Sequence, residues 1–393
     1  MKFLKGLALS LLGFLLFLSL SAFGLAFMLN NTLLSPRFFS SELDRLDVRA
    51  MVQEALDKQA TMPPAVKAAI MDSLTKNEPA LRQHMNAATG SIYDYLLGTT
   101  ESLDLAQVLR NTVLSKDLAV SLVDNGDIAP FIREYFFKEL VSQVPPDIKK
   151  YLVVYLENAI PRLKPWVREQ VSIAADPVLD YAVGKSDGLN VVINLGPMKT
   201  ILRDSIKQDF LKSPPPELAG VPPIMLEPFF DQLYPQFAQN IPAAIVLDEE
   251  LIGTDVPADN AKSLAEAEAG LAQAKQYVGQ FRSWYNLLIG FMLLLVLGII
   301  LIHREVRGAT RQLGTTFVTY GAIEYAGIWV GKNLAQSLWP PGQVSAAFRA
   351  WLLQFTSSFL RPLEILSLVI LIGGVVLLIV SFVYKARKAS PAG

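Results

Sequence analysis

Apolar residues along this chain concentrate in four segments, one at the N-terminus and three in the last third, with a long mixed region between them. The N-terminal segment, residues 1–29, includes 24 consecutive positions without a charge, and residues 284–302 and 365–384 are similarly apolar. A helix needs about 20 apolar residues to cross a bilayer. Residues 313–331 are less apolar, because they contain several threonines and Glu324. The pattern predicts four transmembrane helices, of which the third is the weakest.

The N-terminal segment begins like a secretory signal but is longer than one. Lys2 and Lys5 precede the apolar run, whereas the apolar part of a cleaved signal covers only about 7–15 residues. The small residues Ser21, Ala22 and Gly24 resemble a cleavage site, but the apolar run continues beyond them. We interpret this segment as an uncleaved signal anchor, and a cleaved signal is the alternative.

Charge supports four spans and predicts their orientation. Residues 30–283 hold 33 acidic against 24 basic residues, whereas the rest of the chain holds 3 acidic against 11 basic residues. Short cytoplasmic loops are enriched in Lys and Arg, and only four spans place the N-terminal lysines, the loop 303–312 and the tail 385–393 on one side. We therefore expect a multi-pass cell-membrane protein with both termini cytoplasmic and residues 30–283 extracytoplasmic.

The predicted outer loop, residues 332–364, contains apolar positions at helical spacing. These positions are Val344, Ala347, Phe348, Trp351, Leu352, Phe355 and Phe359. A Trp- and Phe-rich face opposite a few polar residues is typical of a helix that lies in the membrane interface. A re-entrant segment packed on the other spans is the alternative interpretation.

The extracytoplasmic region contains two similar halves. Residues 63–82 align without a gap on 145–164, with matched Pro pairs, and residues 92–105 align on 178–191, with matched Asp, Tyr, Gly and Leu. Similarity at a fixed offset indicates an internal repeat. The sequence predicts a tandem duplication, with repeat 1 over 30–117 and repeat 2 over 118–212. Coincidence among helical segments punctuated by proline is the alternative.

Each half has the pattern of a helical repeat with a small strand element. Pro79 and Pro161 are expected to break or restart the helices in which they lie. Gly98 and Gly184 follow the helix that carries the matched Tyr, as C-terminal capping glycines do. The β-branched run Leu189–Leu195 predicts a strand, with Ala244–Leu247 as its partner, and Leu103–Ala106 is a weaker strand candidate in repeat 1. The fold class that follows is a mainly α membrane protein with a large, mostly helical outer domain and a small β element.

A Pro-rich connector and an acidic loop, residues 213–260, lead into a predicted stalk helix, residues 261–283. Apolar and small residues at alternating steps of three and four continue along 264–288 into the second span. Sustained spacing of this kind is the coiled-coil pattern, so an oligomer formed through this helix is one expectation. A single amphipathic helix resting on its own domain is the alternative.

The residue inventory excludes several chemistries. The chain has no cysteine, which removes disulfides and thiolate sites, and its two histidines, His84 and His303, have no second histidine nearby to complete a zinc site. No phosphate-binding or catalytic motif is present, and we predict no catalytic, cofactor-binding or metal-binding residues. The acidic excess of the outer region argues against nucleic acid as a partner, because phosphate binding needs clustered bases.

Two sets of residues remain as candidate sites. Glu324 lies within a predicted span, and an intramembrane carboxylate is by default a functional candidate, although a hydrogen-bonded glutamate that fixes helix packing is the alternative. Four aromatic residues of the outer region, Tyr95, Tyr181, Tyr135 and Trp166, could line an apolar groove between the two repeats, because pockets often form at domain interfaces. Their packing in ordinary cores is the alternative.

The general plan resembles that of uncharacterised prokaryotic integral membrane proteins with a signal anchor and a large helical ectodomain. The segments 94–98 and 180–184 and the Pro-rich connector that follows carry this resemblance. The resemblance implies no activity. We expect a non-enzymatic cell-envelope protein that resides in the lipid bilayer and binds an envelope protein or a hydrophobic ligand as a scaffold or sensor. The alternative is a small transport or lipid-handling protein.

Overall fold

Helices make up nearly all of the chain in the computed structural model, which describes residues 2–60, 62–142, 146–239, 241–252, 256–338 and 344–383. The helices are α1 (Lys2–Asn31), α2 (Pro36–Asp44), α3 (Val48–Lys58), α4 (Pro64–Leu96), α5 (Leu105–Asn111), α6 (Lys116–Asn125), α7 (Ala129–Ile132), α8 (Lys138–Ser142), α9 (Pro146–Ala182), α10 (Gly196–Lys212), α11 (Pro223–Ala238), α12 (Glu249–Ile252), α13 (Val256–His303), α14 (Val306–Leu338) and α15 (Ala346–Val383). A π-helical turn, Arg133–Phe137, lies between α7 and α8, and a 3-10 turn, Pro216–Leu218, precedes α11.

The chain divides into two compact units. Unit 1 comprises the described residues of Met1–Asp47, Ile92–Glu101 and Leu271–Gly393, and unit 2 those of Val48–Ser91 and Ser102–Gly270. Unit 1 therefore holds the apolar ends of the chain, and unit 2 holds most of the acidic middle.

Three helices have the length and composition needed to cross a membrane: Lys5–Asn31, Ala258–His303 and Ala346–Val383. By length and composition they fit a membrane protein, and they correspond to the first, second and fourth predicted spans. The weaker third span lies within α14, which is helical throughout. Its threonines and Glu324 lower its apolar character, so α14 is not among the three helices that qualify by composition.

The loops that connect these helices are shorter than predicted. Only Arg304 and Glu305 separate α13 from α14, so most of the predicted loop 303–312 is helical. Arg304 adopts φ +55° at this turn, in the left-handed region. The predicted interfacial helix of the outer loop 332–364 is not a separate element, because α15 runs unbroken from Ala346 into the last span. A surface helix and a membrane helix share the same apolar period, so the pattern could not place that boundary.

Unit 1 has an apolar core to which α1, α13, α14 and α15 all contribute. Its fully or nearly buried members are Leu9, Leu16, Leu20, Leu295, Ile299, Leu313 and Tyr320, with residues such as Ile370 and Leu377 packed against them. Tyr320 is completely buried and packs edge-on against Phe17 of α1, with ring centroids 6.3 Å apart. Gly24 of α1 faces the Tyr320 hydroxyl so closely that a larger residue would not fit. Thus α14 shares a core with the three qualifying helices.

Helices α14 and α15 approach each other along a seam of small residues. A methyl group added at Gly321 would lie 2.7 Å from the carbonyl oxygen of Ser367, and one added at Gly314 would lie 2.9 Å from that of Gly374. One heptad further, Ser381 Oγ donates to the carbonyl oxygen of Arg307 at 3.2 Å. The contacts recur every seven residues on both helices, in opposite directions. Small residues permit this close approach of membrane helices.

Unit 2 is built around the long helix α9. Its main core joins α9 to α10 and α11 and includes Leu156, Ala159, Leu163, Met198, Leu202 and Leu226. The strands β1 (Asn190–Asn194) and β2 (Ala244–Asp248) pair antiparallel, with Val192 opposite Val246. This pairing confirms the predicted strand and its partner. The weaker strand candidate Leu103–Ala106 is wrong, because Asp104 caps a helix, α5, that begins at Leu105.

The helix α13 begins at Val256 and includes the predicted stalk. Within unit 2, Glu268 accepts a hydrogen bond from the backbone N–H of Leu105 at 2.6 Å, and Asn260 donates to the carbonyl oxygen of Ala182 at 2.7 Å. Within unit 1, Lys275 donates to the carbonyl oxygen of Thr100 at 2.7 Å. The helix therefore rests on its own chain at these positions, which favours the alternative to a coiled coil.

The two halves of the predicted duplication end their long helices in the same conformation. Gly98 and Gly184 have φ +82° and +73°, in the left-handed region. After α4, Gly98 and Thr99 donate to the carbonyl oxygens of Tyr95 and Asp94, and after α9 Gly184 and Lys185 donate to those of Tyr181 and Asp180. Both ends match the predicted C-caps. Pro79 and Pro161, in contrast, do not break their helices as the sequence suggested, because each lies inside one continuous helix.

A second pair of helix junctions, between α1 and α2 and between α5 and α6, has matching sequence and hydrogen bonds, although the alignments above do not include it. Residues 31–35 and 111–115 differ at one position only. In each, the threonine hydroxyl donates to the carbonyl oxygen four residues earlier, at 2.7 Å for Thr32 and 2.6 Å for Thr112. Ser35 and Ser115 then cap the next helix by accepting from the backbone N–H three residues on. The offset of 80 residues is close to the offset of 82 between 63–82 and 145–164, and duplication stays a prediction.

Alanine at either capping glycine is expected to lower the free energy of unfolding by about 1 kcal/mol, because a side chain at positive φ meets the following carbonyl. Thermal unfolding of Gly98→Ala and Gly184→Ala in detergent measures this effect. Gly90→Ala is the control, since Gly90 lies within α4 with open space around it. An equal loss at Gly90 would show that the cost does not come from the backbone conformation.

Candidate functional site

Glu324 lies half-buried on α14. Of the four glycines near it, Gly314 and Gly321 face α15, whereas Gly327 and Gly331 have open space around them. The Tyr320 hydroxyl, one turn from Glu324 on α14, has no hydrogen-bond partner among the described residues, so the structure shows no bond between these two side chains. Neither of the two clefts described below includes Glu324. Its intramembrane role remains a prediction.

The four aromatic residues of the predicted groove are not brought together. Trp166 is in the main core of unit 2, whereas Tyr181 is in a separate cluster beside β1. Tyr135 is 61% exposed. Tyr95 belongs to unit 1, where the Lys275 ammonium lies 4.1 Å from its ring centroid. Tyr181 and Trp166 therefore serve as core residues, as the alternative interpretation held.

A polar cleft of unit 2, about 650 Å³ in volume, lies where α5 and α6 meet α9. It is lined by Gln107, Arg110, Asn111, Ser115, Lys116, Asp117, Asp176, Asp180 and Lys185. Three of these side chains are basic and three are acidic, and none is apolar. We call this set the Arg110 cleft.

Arg110 is the centre of the cleft and holds two carboxylates of α9. Its Nε donates to Asp180 Oδ1 at 2.6 Å, and its Nη2 donates to Asp176 Oδ1 at 2.8 Å. The Arg110 side chain is only 14% exposed, whereas the two carboxylates are 38% and 49% exposed. The hydrogen bond from Arg110 lowers the pKa of Asp176, and the hydrogen bond to Asp176 raises the pKa of Arg110. Arg110 and Asp176 are therefore both charged at neutral pH.

Two lysines and an exposed acid form the rim of the cleft. Lys185 donates to Gln107 Oε1 at 2.8 Å and lies 3.5 Å from Asp104 Oδ2. Lys116 lies 3.6 Å from Asp176 Oδ2, which is at the long end of an ion pair. Asp117 is exposed on the same rim. The rim thus presents both signs of charge to solvent above a desolvated guanidinium.

Comparisons with known proteins give no match. No family model, no curated protein and no solved structure matches this chain.

The sequence located one member of this cleft and missed its centre. Asp180 belongs to the repeated segment 180–184, whereas its counterpart Asp94 in repeat 1 is simply exposed. Arg110 lies 70 residues from Asp180 in the chain. A pairing over that separation leaves no local pattern, so no signal in a single sequence could have identified it.

A metal site is not formed by the side chains that the structure describes. No group of three His, Asp or Glu residues is placed to hold a metal ion within the described ranges. Of the acidic loop, Glu249 accepts a hydrogen bond from the backbone N–H of Leu189 at 3.2 Å. Asp255 of that loop lies outside the described residues. The Arg110 cleft presents charged hydrogen-bond donors and acceptors from Arg110, Asp176 and Asp180.

Proposed function

We propose that this chain is a non-enzymatic, multi-pass membrane protein of the cell envelope whose outer domain binds a small polar ligand in the Arg110 cleft. The observation that carries the proposal is the balance of charge around a nearly buried guanidinium, with both signs reaching solvent. No nucleophile with an adjacent base is evident among the lining residues, so binding is the activity that these groups support.

The proposed topology has four spans, with α14 as the third. Support comes from the core that α14 shares with α1, α13 and α15. Four spans also place Lys2, Lys5, the Arg304–Arg311 cluster and the C-terminal lysines on one side, as cytoplasmic loops require. Residues 30–283, which contain the Arg110 cleft, then lie outside the cell, and α1 is a signal anchor.

The expected ligand is a zwitterion that carries an amino group and a carboxylate, such as a free amino acid or a dipeptide. Exposed Asp117 and the outer oxygen of Asp176, Oδ2, suit an ammonium, whereas Lys116 and Lys185 suit a carboxylate. Hydrogen bonds to charged groups are roughly twice as strong as neutral ones. A cleft of about 650 Å³ has room for a ligand of this size. A purely anionic polymer would meet three carboxylates and is disfavoured.

Single cysteine substitutions test the membrane topology and the ligand site together, because the chain has no cysteine of its own. In intact cells, Asn111→Cys in the cleft is expected to react with a membrane-impermeant maleimide. Glu305→Cys, at the turn between α13 and α14, is expected to react only after the cells are permeabilised. A millimolar panel of amino acids and dipeptides is then added. At least one member is expected to slow labelling of Asn111→Cys by tenfold or more, which corresponds to occupancy near 90%.

Glu266→Cys is the matched control, because Glu266 is exposed in unit 2 away from the cleft. It should be labelled from outside at a rate that no member of the panel changes. Labelling of Glu305→Cys in intact cells would overturn the topology. Unchanged labelling of Asn111→Cys with every member of the panel would overturn the zwitterion-binding function while leaving the topology standing.

A further inference from the structure

Glu42, near the end of α2, is a buried carboxylate with one oxygen unpaired. Only 2% of its surface is exposed. Its Oε1 accepts a hydrogen bond from Arg45, whereas its Oε2 has no partner among the described residues. A buried acceptor without a donor is costly to maintain. An oxygen in this state is suited to receive a donor from a ligand.

Glu42 lines a cleft of about 340 Å³ in unit 1, distinct from the Arg110 cleft of unit 2. Its lining residues include Phe27, Asn31, Glu42, Arg45, Arg361 and Ile365. One part of this lining is polar and cationic, and Phe27 and Ile365 form an apolar part. We call this the Glu42 cleft.

The position of Glu42 is fixed by contacts to α15. Trp351 Nε1 donates to the carbonyl oxygen of Glu42 at 2.7 Å, and Arg45 donates to Ser358 Oγ at 3.3 Å. The Phe355 ring lies against Phe38 and Phe39 of α2, with centroids 5.7 and 6.2 Å apart. The cleft is therefore held in shape without a ligand, which lowers the entropic cost of binding.

The charges of the Glu42 cleft favour a group that is both anionic and a donor. Arg361 is exposed and pairs with no acidic side chain within the described ranges. Arg45 shares the cleft and is 48% exposed. Two guanidinium groups suit a phosphate, because arginine binds phosphate oxygens in a planar, bidentate geometry. The unpaired Oε2 of Glu42, in contrast, needs an N–H or O–H donor.

The Glu42 cleft lies where two apolar helices become polar. Asn31 is the last residue of α1, at the end of its apolar run, and Ile365 opens the apolar part of α15. Phospholipid headgroups occupy this boundary of a membrane protein. Ile365 lies on the apolar side of Arg361 along α15, and Phe27 lies on the apolar side of Asn31 along α1. Acyl chains would pass along these two residues.

We propose that the Glu42 cleft binds the headgroup of a phospholipid that carries a primary amine, of the phosphatidylethanolamine class. Arg361 and Arg45 hold the phosphate, Glu42 Oε2 accepts a hydrogen bond from the ammonium, and the acyl chains run past Phe27 and Ile365. This site does not depend on the ligand of the outer domain. It assigns a second, lipid-recognising role to the membrane unit.

Native mass spectrometry of the full chain in detergent tests the proposal, with phosphatidylethanolamine, phosphatidylcholine and phosphatidylglycerol of identical acyl chains as probes. The first is expected to bind about tenfold more tightly than the second, because a trimethylated ammonium has no N–H to donate to Glu42. Glu42→Gln is expected to abolish this preference. Arg361→Gln, at an exposed position, should weaken both lipids alike.

Arg37→Gln is the matched control, because Arg37 is exposed on the same helix as Glu42 but does not line the cleft. It should change neither affinity. Equal binding of phosphatidylethanolamine and phosphatidylcholine by the unaltered chain would overturn the proposal, and so would tighter binding of phosphatidylglycerol. Equal losses in Arg361→Gln and Arg37→Gln would show general surface attraction instead. If Glu42→Gln does not fold, the comparison of lipids and the arginine variants still decide.

Discussion

Leucine at Gly321 is expected to lower the free energy of unfolding of the membrane unit by about 3 kcal/mol, the upper range for an overpacked contact. The reason is that α15 leaves no space for even the first atom of a side chain. A Cβ at this position would lie 2.7 Å from both the Ser367 carbonyl oxygen and the Leu371 Cβ. Backbone cannot rotate away as a flexible side chain can, so the two helices must separate. Alanine at Gly321 is expected to show a smaller loss of the same sign.

The same helix provides the control for this prediction. Gly327 is exposed on α14, six residues from Gly321, and a Cβ there would meet nothing within 4 Å. Gly327→Leu is expected to leave stability unchanged or to raise it by up to about 1 kcal/mol, since leucine favours a helix more than glycine does. Thermal unfolding in detergent, followed by size-exclusion chromatography, measures both variants. Similar melting temperatures for the two would refute the close packing of α14 against α15.

Methionine at Arg110 is expected to lower the free energy of unfolding of unit 2 by about 2 kcal/mol at pH 7. Breaking a buried ion pair costs about 3–5 kcal/mol, and the solvent exposure of Asp176 and Asp180 reduces that value here, because water rehydrates the carboxylates. Methionine keeps the bulk of the side chain, so the loss reports on the charged hydrogen bonds. Thermal unfolding of the full chain is the measurement.

The cost of this substitution should depend on pH in a stated direction. Arg110 lowers the pKa of Asp176 in the folded protein, whereas an unfolded aspartate titrates near about 3.9. The stabilisation by the Arg110–Asp176 pair is therefore complete above the pKa of the unfolded aspartate. It is lost as the pH falls through the lower pKa that Asp176 has in the folded protein. The difference between the unaltered chain and Arg110→Met should shrink from pH 5 towards pH 3. A constant difference at every pH would contradict the assignment.

Local signals in the sequence account for much of the secondary structure. The two capping glycines follow a repeated Asp-Tyr segment, and the structure gives both of them the positive φ that glycine tolerates best. The strand at 189–195 was recognisable from its β-branched residues, and its partner was correctly chosen. The prediction that Pro79 and Pro161 break their helices is wrong, because both residues lie inside long helices whose packing outweighs a local break. Propensity describes a segment alone, and tertiary contacts override it.

The candidate sites were harder to predict from the sequence than the fold was. Glu324 is recognisable in the sequence because it is a charged residue within an apolar run, yet it lines neither the Glu42 cleft nor the Arg110 cleft. Glu42 and Arg110 lie among many other charged residues in a polar stretch, where nothing distinguishes them. Their special status comes from burial, which removes water from one carboxylate oxygen and from one guanidinium. Burial depends on residues far away in the chain, such as Trp351 for Glu42 and Asp180 for Arg110.

By itself, the sequence determined three membrane-length apolar helices, a mostly helical acidic middle, the two-stranded sheet and the helix ends at Gly98 and Gly184. Each of these follows from the period of apolar residues or from the conformational freedom of a single residue, which act over a few positions. Only the tertiary structure decided which glycines of α14 face a neighbour, where α15 begins, and which charged side chains are buried. Those outcomes depend on contacts between distant segments, and their energies arise only when the chain has excluded water between them.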